Sequence, residues 1–330
     1  MMRRAGGALV VVVGLMACKG AASTSAGAGT SASMTSASAT TTASVASVLG
    51  GTSCGAVGGV ECATFDRAED AFLAVLKEDP AVLAIGEAHA QRGATVASSA
   101  KRFADTLLPL LAGRASDLLV ELMMPPTGCV KQAEAMRSAQ KPVTTQQAAG
   151  NQNEYLAMGE AARKLGIVPD LLRPSCQDLA AVEDAGADAI DVSLATIARL
   201  TTAQAEKMID RDRANVAGSS RRPERSEGPV ANENAKKMVV TYGGALHNDT
   251  APPPERAGWA FGPALSKYVG GRYVELDLYV PEFIEDTDTW RALPFYAAYQ
   301  KAKSAGKPTL FRVASKSYVL VFAPSTPAPR

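Results

Sequence analysis

Ala81-Val82-Leu83-Ala84-Ile85 is an unbroken apolar run that ends at Gly86 and leads through Glu87 and Ala88 to His89. A run this short, closed by a glycine, is the signature of a strand buried on both faces; a half-exposed strand would alternate. Such strands belong to sheets sandwiched between helices, where ligands gather outside the carboxyl ends of the strands. A second run, Met238-Val239-Val240-Thr241-Tyr242, ends in Gly243-Gly244 and leads through Ala245 and Leu246 to His247. The chain has 2 histidines in 330 residues, and each follows a glycine by three positions at the end of such a run. Two strand ends of one sheet would bring both imidazoles to one site.

The remaining periodicities fit this frame. Helical spacing of apolar residues predicts helices over 66–76, 94–111 (shortened by Pro109), around Met136, and over 153–165, 185–200, 203–216 and 264–269. A second strand is read at 117–124, with Glu121 inside an otherwise apolar run, and a third at 167–172 despite Pro169. An unpaired charge inside a strand is costly, so Glu121 is a solvated edge residue, a buried ion-pair partner, or a carboxylate of the site. Residues 271–280 alternate and predict a half-exposed strand, and 309–313 with 317–322 predict a terminal antiparallel hairpin turning at 314–316. The fold class is therefore α/β: a single domain over 54–330, with a mostly parallel central sheet flanked by helices and a C-terminal antiparallel hairpin. A polar stretch at 217–231 reads as a surface insertion.

The first residues are read as a processing signal and stand outside the fold. Arg3 and Arg4 precede an apolar stretch, and Leu15-Met16-Ala17-Cys18 resembles the bacterial lipobox, in which the cysteine is lipidated and becomes the first mature residue. That resemblance implies a signal peptide over 1–17 and a membrane anchor at Cys18. Lys19 stands where an inner-membrane retention signal would carry Asp, so the expected location is the outer membrane, facing the periplasm or the surface. Residues 18–53 are almost wholly Ala, Ser, Thr and Gly, too poor in apolar bulk to offset ordering entropy, and read as a flexible tether. Formal net charge is +1, and no basic, aromatic-rich patch points to nucleic acid. H-E-x-x-H, Walker A, C-x-x-C and strand-linked G-x-G-x-x-G patterns are absent from the sequence.

Gly86-Glu87-Ala88-His89 after a buried strand, Glu121 in the next, and Gly244-Ala245-Leu246-His247 after a late one resemble a superfamily. It contains ChaN-type haem-binding lipoproteins, erythromycin esterases, and the TraB and Tiki proteins. The resemblance covers about residues 80 to 285. Likeness to the Tiki type implies a metal-dependent hydrolase, peptidase- or esterase-like, using His89, His247 and Glu87. The esterase motif is one residue longer than Gly86-Glu87-Ala88-His89. The ChaN type has Gly-Glu-x-His without a gap and implies iron or haem uptake. An arginine from a helix before the last histidine, Arg211 or Arg213, would also correspond.

A catalytic divalent ion (Zn, Mn or Co) asks for three protein ligands and an open position. His89 and His247 supply two, and Glu87 or Glu121 the third, the other carboxylate serving as base. Haem would need one axial ligand from His89, His247 or Tyr242. The third reading is a structural or interaction lipoprotein with no ligand, its histidines merely closing strand ends. The substrate, a small molecule or a peptide, is not specified. With Cys18 assigned to lipid, Cys54, Cys62, Cys129 and Cys176 face an oxidising compartment and allow three pairings. Cys129 follows the second strand and Cys176 the third; if those strands are neighbours, both cysteines emerge at one edge within disulfide reach. The expected bridges are Cys129–Cys176 and Cys54–Cys62.

Overall fold

The computed structural model describes residues 49–219 and 237–325. The expected signal peptide, Cys18, the tether to residue 48 and the insertion from residue 220 lie outside them. Pairing starts earlier than the sequence suggests, in a hairpin of β1 (Thr52–Val57) and β2 (Val60–Thr64). Gly58 and Gly59 form its two-residue turn with φ of 59° and 86°, the left-handed pair that matches strand twist. Cys54 and Cys62 are bridged across it, with Cα atoms 5.3 Å apart.

Helix α1 (Ala68–Leu76) leads into β3 (Val82–Glu87), every residue of which is buried. The single helix expected over 94–111 is instead three short pieces. Ser98 caps α2 (Ser99–Arg102) by accepting the Lys101 N–H at 2.9 Å. A π turn (Phe103–Leu107) and a 3₁₀ turn (Leu108–Leu111) follow, because Pro109 has no N–H for the α-helical ladder. Next come β4 (Ala115–Met123), α3 (Val130–Thr144), α4 (Asn151–Lys164) and β5 (Val168–Leu172). Gly166 turns the chain out of α4 at φ 75°. After α5 (Cys176–Asp184), the two helices expected across 185–216 are one, α6 (Ala189–Ser219). Thr201-Thr202 does not interrupt it: the Thr202 hydroxyl donates back to the Ala198 carbonyl at 2.9 Å, so its polar group costs the helix little.

Strand β6 (Met238–Gly244), α7 (Gly262–Tyr268), β7 (Tyr273–Tyr279), α8 (Asp288–Arg291) and α9 (Tyr296–Ala302) precede the hairpin of β8 (Thr309–Ala314) and β9 (Ser317–Val321). The nine strands form one sheet in the order β1-β2-β8-β9-β7-β3-β6-β4-β5. Pairing is parallel from β5 through β9 and antiparallel at β9–β8, β8–β2 and β2–β1. Among the described residues no helix is long and apolar enough to cross a membrane.

One sheet face packs against α1, the α2 segment and α4 through Phe72, Phe103, Leu107 and Met158; the other packs against α3, α5, α6 and α7 through Met136, Leu179, Ile197 and Leu265. The connection leaving β3 runs over the first face towards β4, and the one leaving β6 runs over the second towards β7. The chain thus departs from two adjacent parallel strands to opposite faces. That topological switch point opens a crevice at their carboxyl ends. β4 and β5 are parallel neighbours, and Cys129 and Cys176 are bridged beyond their ends, with Cα atoms 5.4 Å apart.

The expected half-exposed strand, β7, is almost wholly buried. Its alternating acids face inward because each finds donors. Glu275 accepts the Thr250 N–H (2.8 Å) and hydroxyl (2.7 Å) and the Ser317 hydroxyl (3.0 Å). Asp277 accepts the Asn248 amide at 2.9 Å and the Tyr279 hydroxyl at 3.3 Å. Burial, then the neighbouring Glu275, holds the Asp277 carboxyl well above the ordinary carboxylate range, against the pull of Asn248 and Tyr279. A raised folded-state pKa contributes stability that is fully present below the unfolded value and lost as pH rises through the folded one. Asp277→Asn is therefore expected to raise the melting temperature at pH 8 relative to the parent, with the difference shrinking towards pH 4; calorimetry across that range is the measurement.

Candidate functional site at the carboxyl end of the sheet

Gly86 and Gly243 stand opposite each other on β3 and β6, and Asp277 stands opposite Gly86 on β7. On the other side Val120 pairs with Tyr242, which sets Glu121 of β4 beside Gly243. The row Glu121, Gly243, Gly86, Asp277 thus crosses four strands on one face. The two glycines leave the room the carboxylates occupy. A Cβ on Gly243 would stand 2.1 Å from Glu121 Oε2, and one on Gly86 2.4 Å from Asp277 Oδ1.

Glu121 is 5% exposed, and its strand is interior, so the solvated-edge reading of this residue is replaced. Its Oε2 accepts the Gly244 N–H at 2.8 Å. Oε1 lies 3.6 Å from His247 Nε2 and has no hydrogen-bond partner. Burial drives the Glu121 carboxyl well above its usual range; the Gly244 N–H opposes this and the Glu87 charge adds to it.

His247 is positioned by a turn in which its N–H donates to the Gly244 carbonyl at 3.1 Å. Its Nδ1 lies 2.6 Å from the Trp259 carbonyl oxygen, which only accepts, so Nδ1 carries the proton and Nε2 the lone pair. Burial lowers its pKa to about 4, opposed by the Trp259 carbonyl and aided by the nearby His89. The ring is neutral at pH 7.

Glu87 points to the opposite face, where a helix completes the arrangement. Its Oε1 accepts the Tyr155 hydroxyl from α4 at 2.8 Å and the His89 Nδ1–H at 2.8 Å, and its Oε2 accepts the Tyr242 hydroxyl at 2.6 Å. Burial, then the Glu87 charge, holds both phenols well above their ordinary pKa, so they remain donors. The loop beyond His89 is pinned to the start of α4: the Ala148 N–H (2.8 Å) and the Asn151 amide (3.1 Å) both donate to the Ala90 carbonyl. Both histidines are 1% exposed, and each has its Nδ1 anchored and its Nε2 without a partner.

Protein-family models, curated proteins and solved structures give no match to the chain. The site is therefore read from its own geometry. Glu87, His89, Tyr242, Glu121 and His247 come together at the ends of β3, β4 and β6. Glu87 and Tyr242 spend their polar atoms on each other and on their neighbours, while Glu121 and the two histidines keep one atom each unsatisfied. Among the described residues, no three His, Cys, Asp or Glu side chains stand close enough together to hold an ion as they are. The expected arginine is not at the site. Arg211 ion-pairs with Asp117 near the opposite end of β4, and Arg213 pairs with Asp210 at 3.3 Å and lies over the Tyr268 ring.

Tyr155 and Trp259 were not singled out by sequence reasoning. Tyr155 sits on the apolar stripe of α4, where an aromatic is ordinarily core, and Trp259 contributes only a main-chain oxygen. Gly243→Ala is expected to expel the Glu121 carboxylate and destabilise by about 1–3 kcal/mol, the cost of overpacking. Gly159→Ala, on α4 with its nearest neighbour at an ordinary 3.5 Å, is the control and is expected to be neutral or stabilising. Urea unfolding of the two variants reads the contrast.

Proposed function

We propose that the crevice binds a divalent cation and hydrolyses a peptide or ester bond, with His89 Nε2, His247 Nε2 and Glu121 Oε1 as the protein donors. One observation carries the reading: three buried donor atoms on residues at or just beyond the ends of β3, β4 and β6 have no partner, and both imidazoles have their Nδ1 anchored by an acceptor. A buried polar atom without a partner is costly, and outer acceptors on the far nitrogen are what histidine ligands ordinarily carry. The 3.6 Å between His247 Nε2 and Glu121 Oε1 suits two ligands about 2.1 Å from one tetrahedral ion, which sit about 3.4 Å apart. His89 has to move to complete the set. The resemblance to Tiki-type sequences supports His89 and His247; its third residue, Glu87, in this reading orients His89 rather than binding the ion, and Glu121 takes its place.

The ion when bound would polarise the scissile carbonyl and acidify a water. The rest falls to the chain's own residues. Glu87, fixed by Tyr155 and Tyr242, holds His89 in the tautomer that turns Nε2 to the crevice. Burial keeps bulk water from competing for the neutral His247. A second reading, general-base hydrolysis by His89 without metal, is favoured by the Glu87–His89 pair and by the open spacing of the donors. Haem ligation by Tyr242 has less support, since its hydroxyl is buried against Glu87. The proposed setting is the cell envelope, through lipid on Cys18.

Elemental analysis of residues 49–330 after metal exchange is expected to give about one Zn, Mn or Co ion per chain. His89→Ala and His247→Ala should each abolish it, with the double variant no worse, because ligands of one site are not additive. Glu87→Gln should retain the ion with affinity reduced about 10–100-fold. A Soret band with haemin and no ion would transfer the site to the haem reading. Hydrolysis of an ester library that survives chelation but not His89→Ala would establish the metal-free one. Neither ion, haemin nor turnover would leave the histidines as strand closures.

A further inference from the structure

Away from the crevice, a groove runs between the sheet's edge strand β5 and helix α6. It encloses about 520 Å³ and is lined by Asp117, Asp170, Arg173, Arg199, Lys207 and Arg211, over an apolar floor that includes Leu200 and Met208. Four cations thus face two carboxylates. Arg199, Lys207 and Arg211 stand at multiples of four along α6 and share one side of it. From Arg199 to Arg211 the helix rises about 18 Å.

Three of the cations are held in place by carboxylates, and two of those carboxylates, Asp170 and Asp117, line the groove beside them. Arg173 pairs with Asp170 at 2.7 Å, Arg199 pairs with Asp178 of α5, and Arg211 pairs with Asp117 and Asp212. The three guanidinium side chains are nonetheless about half exposed, at 57%, 55% and 48%, and each keeps N–H donors beyond those its carboxylate uses. Lys207 is exposed and has no ionic partner among the described residues. Asp117 is fully buried, and its Oδ1 has no hydrogen-bond partner. The groove therefore presents a row of cations above a buried carboxylate oxygen that lacks a donor.

Two occupants are excluded by the walls. An added β-strand would need the free edge of β5, which is already used. Pro169 has no N–H, the Leu171 N–H donates to Asp170 Oδ1 at 2.9 Å, and Gln204 takes the Leu171 carbonyl (2.9 Å) and the Arg173 N–H (3.1 Å). Single-stranded nucleic acid would need aromatic faces for its bases, and no aromatic residue lines the groove.

We propose that this groove is a second binding site, for an acidic sugar: a phosphate- or carboxylate-bearing polyol whose anions meet Arg173, Arg199, Lys207 and Arg211 and whose hydroxyl donates to Asp117 Oδ1. Planar guanidiniums with spare N–H donors match bidentate anion recognition, and the hydroxyl requirement separates this ligand from a bare phosphate. The source is either a free sugar phosphate or the sugar-phosphate headgroup of a lipid. The site is independent of the proposed hydrolytic crevice.

The test is calorimetric titration of the full chain with glucose 1,6-bisphosphate and with inorganic phosphate, alongside sedimentation with vesicles carrying 20% phosphatidylinositol or none. Saturable binding of the sugar phosphate, at least fivefold tighter than inorganic phosphate, is expected for a free ligand. Phosphatidylinositol-dependent sedimentation without that binding assigns the headgroup. In either case Arg199→Ala and Lys207→Ala, both at exposed positions, should each weaken binding at least threefold and together at least tenfold, while His89→Ala leaves it unchanged. No binding in either arm, equal affinity for inorganic phosphate, or binding indifferent to the Arg199 and Lys207 substitutions overturns the proposal.

Discussion

Two missing side chains make the crevice possible. Gly86 and Gly243 face each other on the central parallel strands, and the space above them is filled from both flanks by carboxylates. Any other residue at either position would push Glu121 or Asp277 out of the sheet face, since the nearest carboxylate oxygen lies closer than any real Cβ contact. Glycine is required here for close approach, not for backbone freedom, because neither residue has a positive φ.

The carboxylates gathered there are buried or nearly so, which makes their partners decisive. Unpaired, each would carry a large desolvation cost. Glu87 has a hydroxyl, a second hydroxyl and an imidazole N–H; Glu275 has Thr250 and Ser317; Asp277 has Asn248 and Tyr279. Glu121 is the exception, with one backbone donor and one idle oxygen. This edge satisfies Glu87, Glu275 and Asp277 and leaves Glu121 short, with the Nε2 atoms of His89 and His247 also unpartnered. Glu121 lies on β4, beside β6, one of the two strands whose exits diverge.

Much of this was legible in the sequence because it follows from burial alone. The α/β class, the parallel core strands and the terminal hairpin all come from short apolar runs and turn residues, and the structure has them. The hairpin of β1 and β2 was missed although Gly58-Gly59 is a strong turn signal. The tether's low complexity runs up to Thr52 and masks the strand. Alternation in β7 was misread because periodicity reports polarity, not solvent: Glu275 and Asp277 alternate with Val274 and Leu276, yet face donors rather than water. Glu121 stood out for the opposite reason, as a lone charge in a run that offered no partner of its own. Tyr155 could not be found this way, because its hydroxyl acts only where β3 and α4 meet, and that meeting is a product of tertiary packing.

Helix α4 consequently governs His89 more than its own loop does. Tyr155 donates to the carboxylate that orients the imidazole, Asn151 ties down the Ala90 carbonyl one residue further on, and Glu154 pairs with Ser98 at the cap of α2. These three contacts come from just over one turn of helix and reach the segment on either side of His89. The same helix packs Met158 and Ala162 into the core, so its register is fixed by apolar burial rather than by the polar contacts. A side chain that must be placed to within a fraction of an ångström is thereby referenced to the most rigid part of the molecule. His247 gains the same precision by a shorter route, from a turn that closes on Gly244 and a carbonyl from the segment entering α7. The two imidazoles are set by opposite faces of the sheet. Their relative position is then determined by the register of β3 against β6, which the packing of both glycines leaves no freedom to slip.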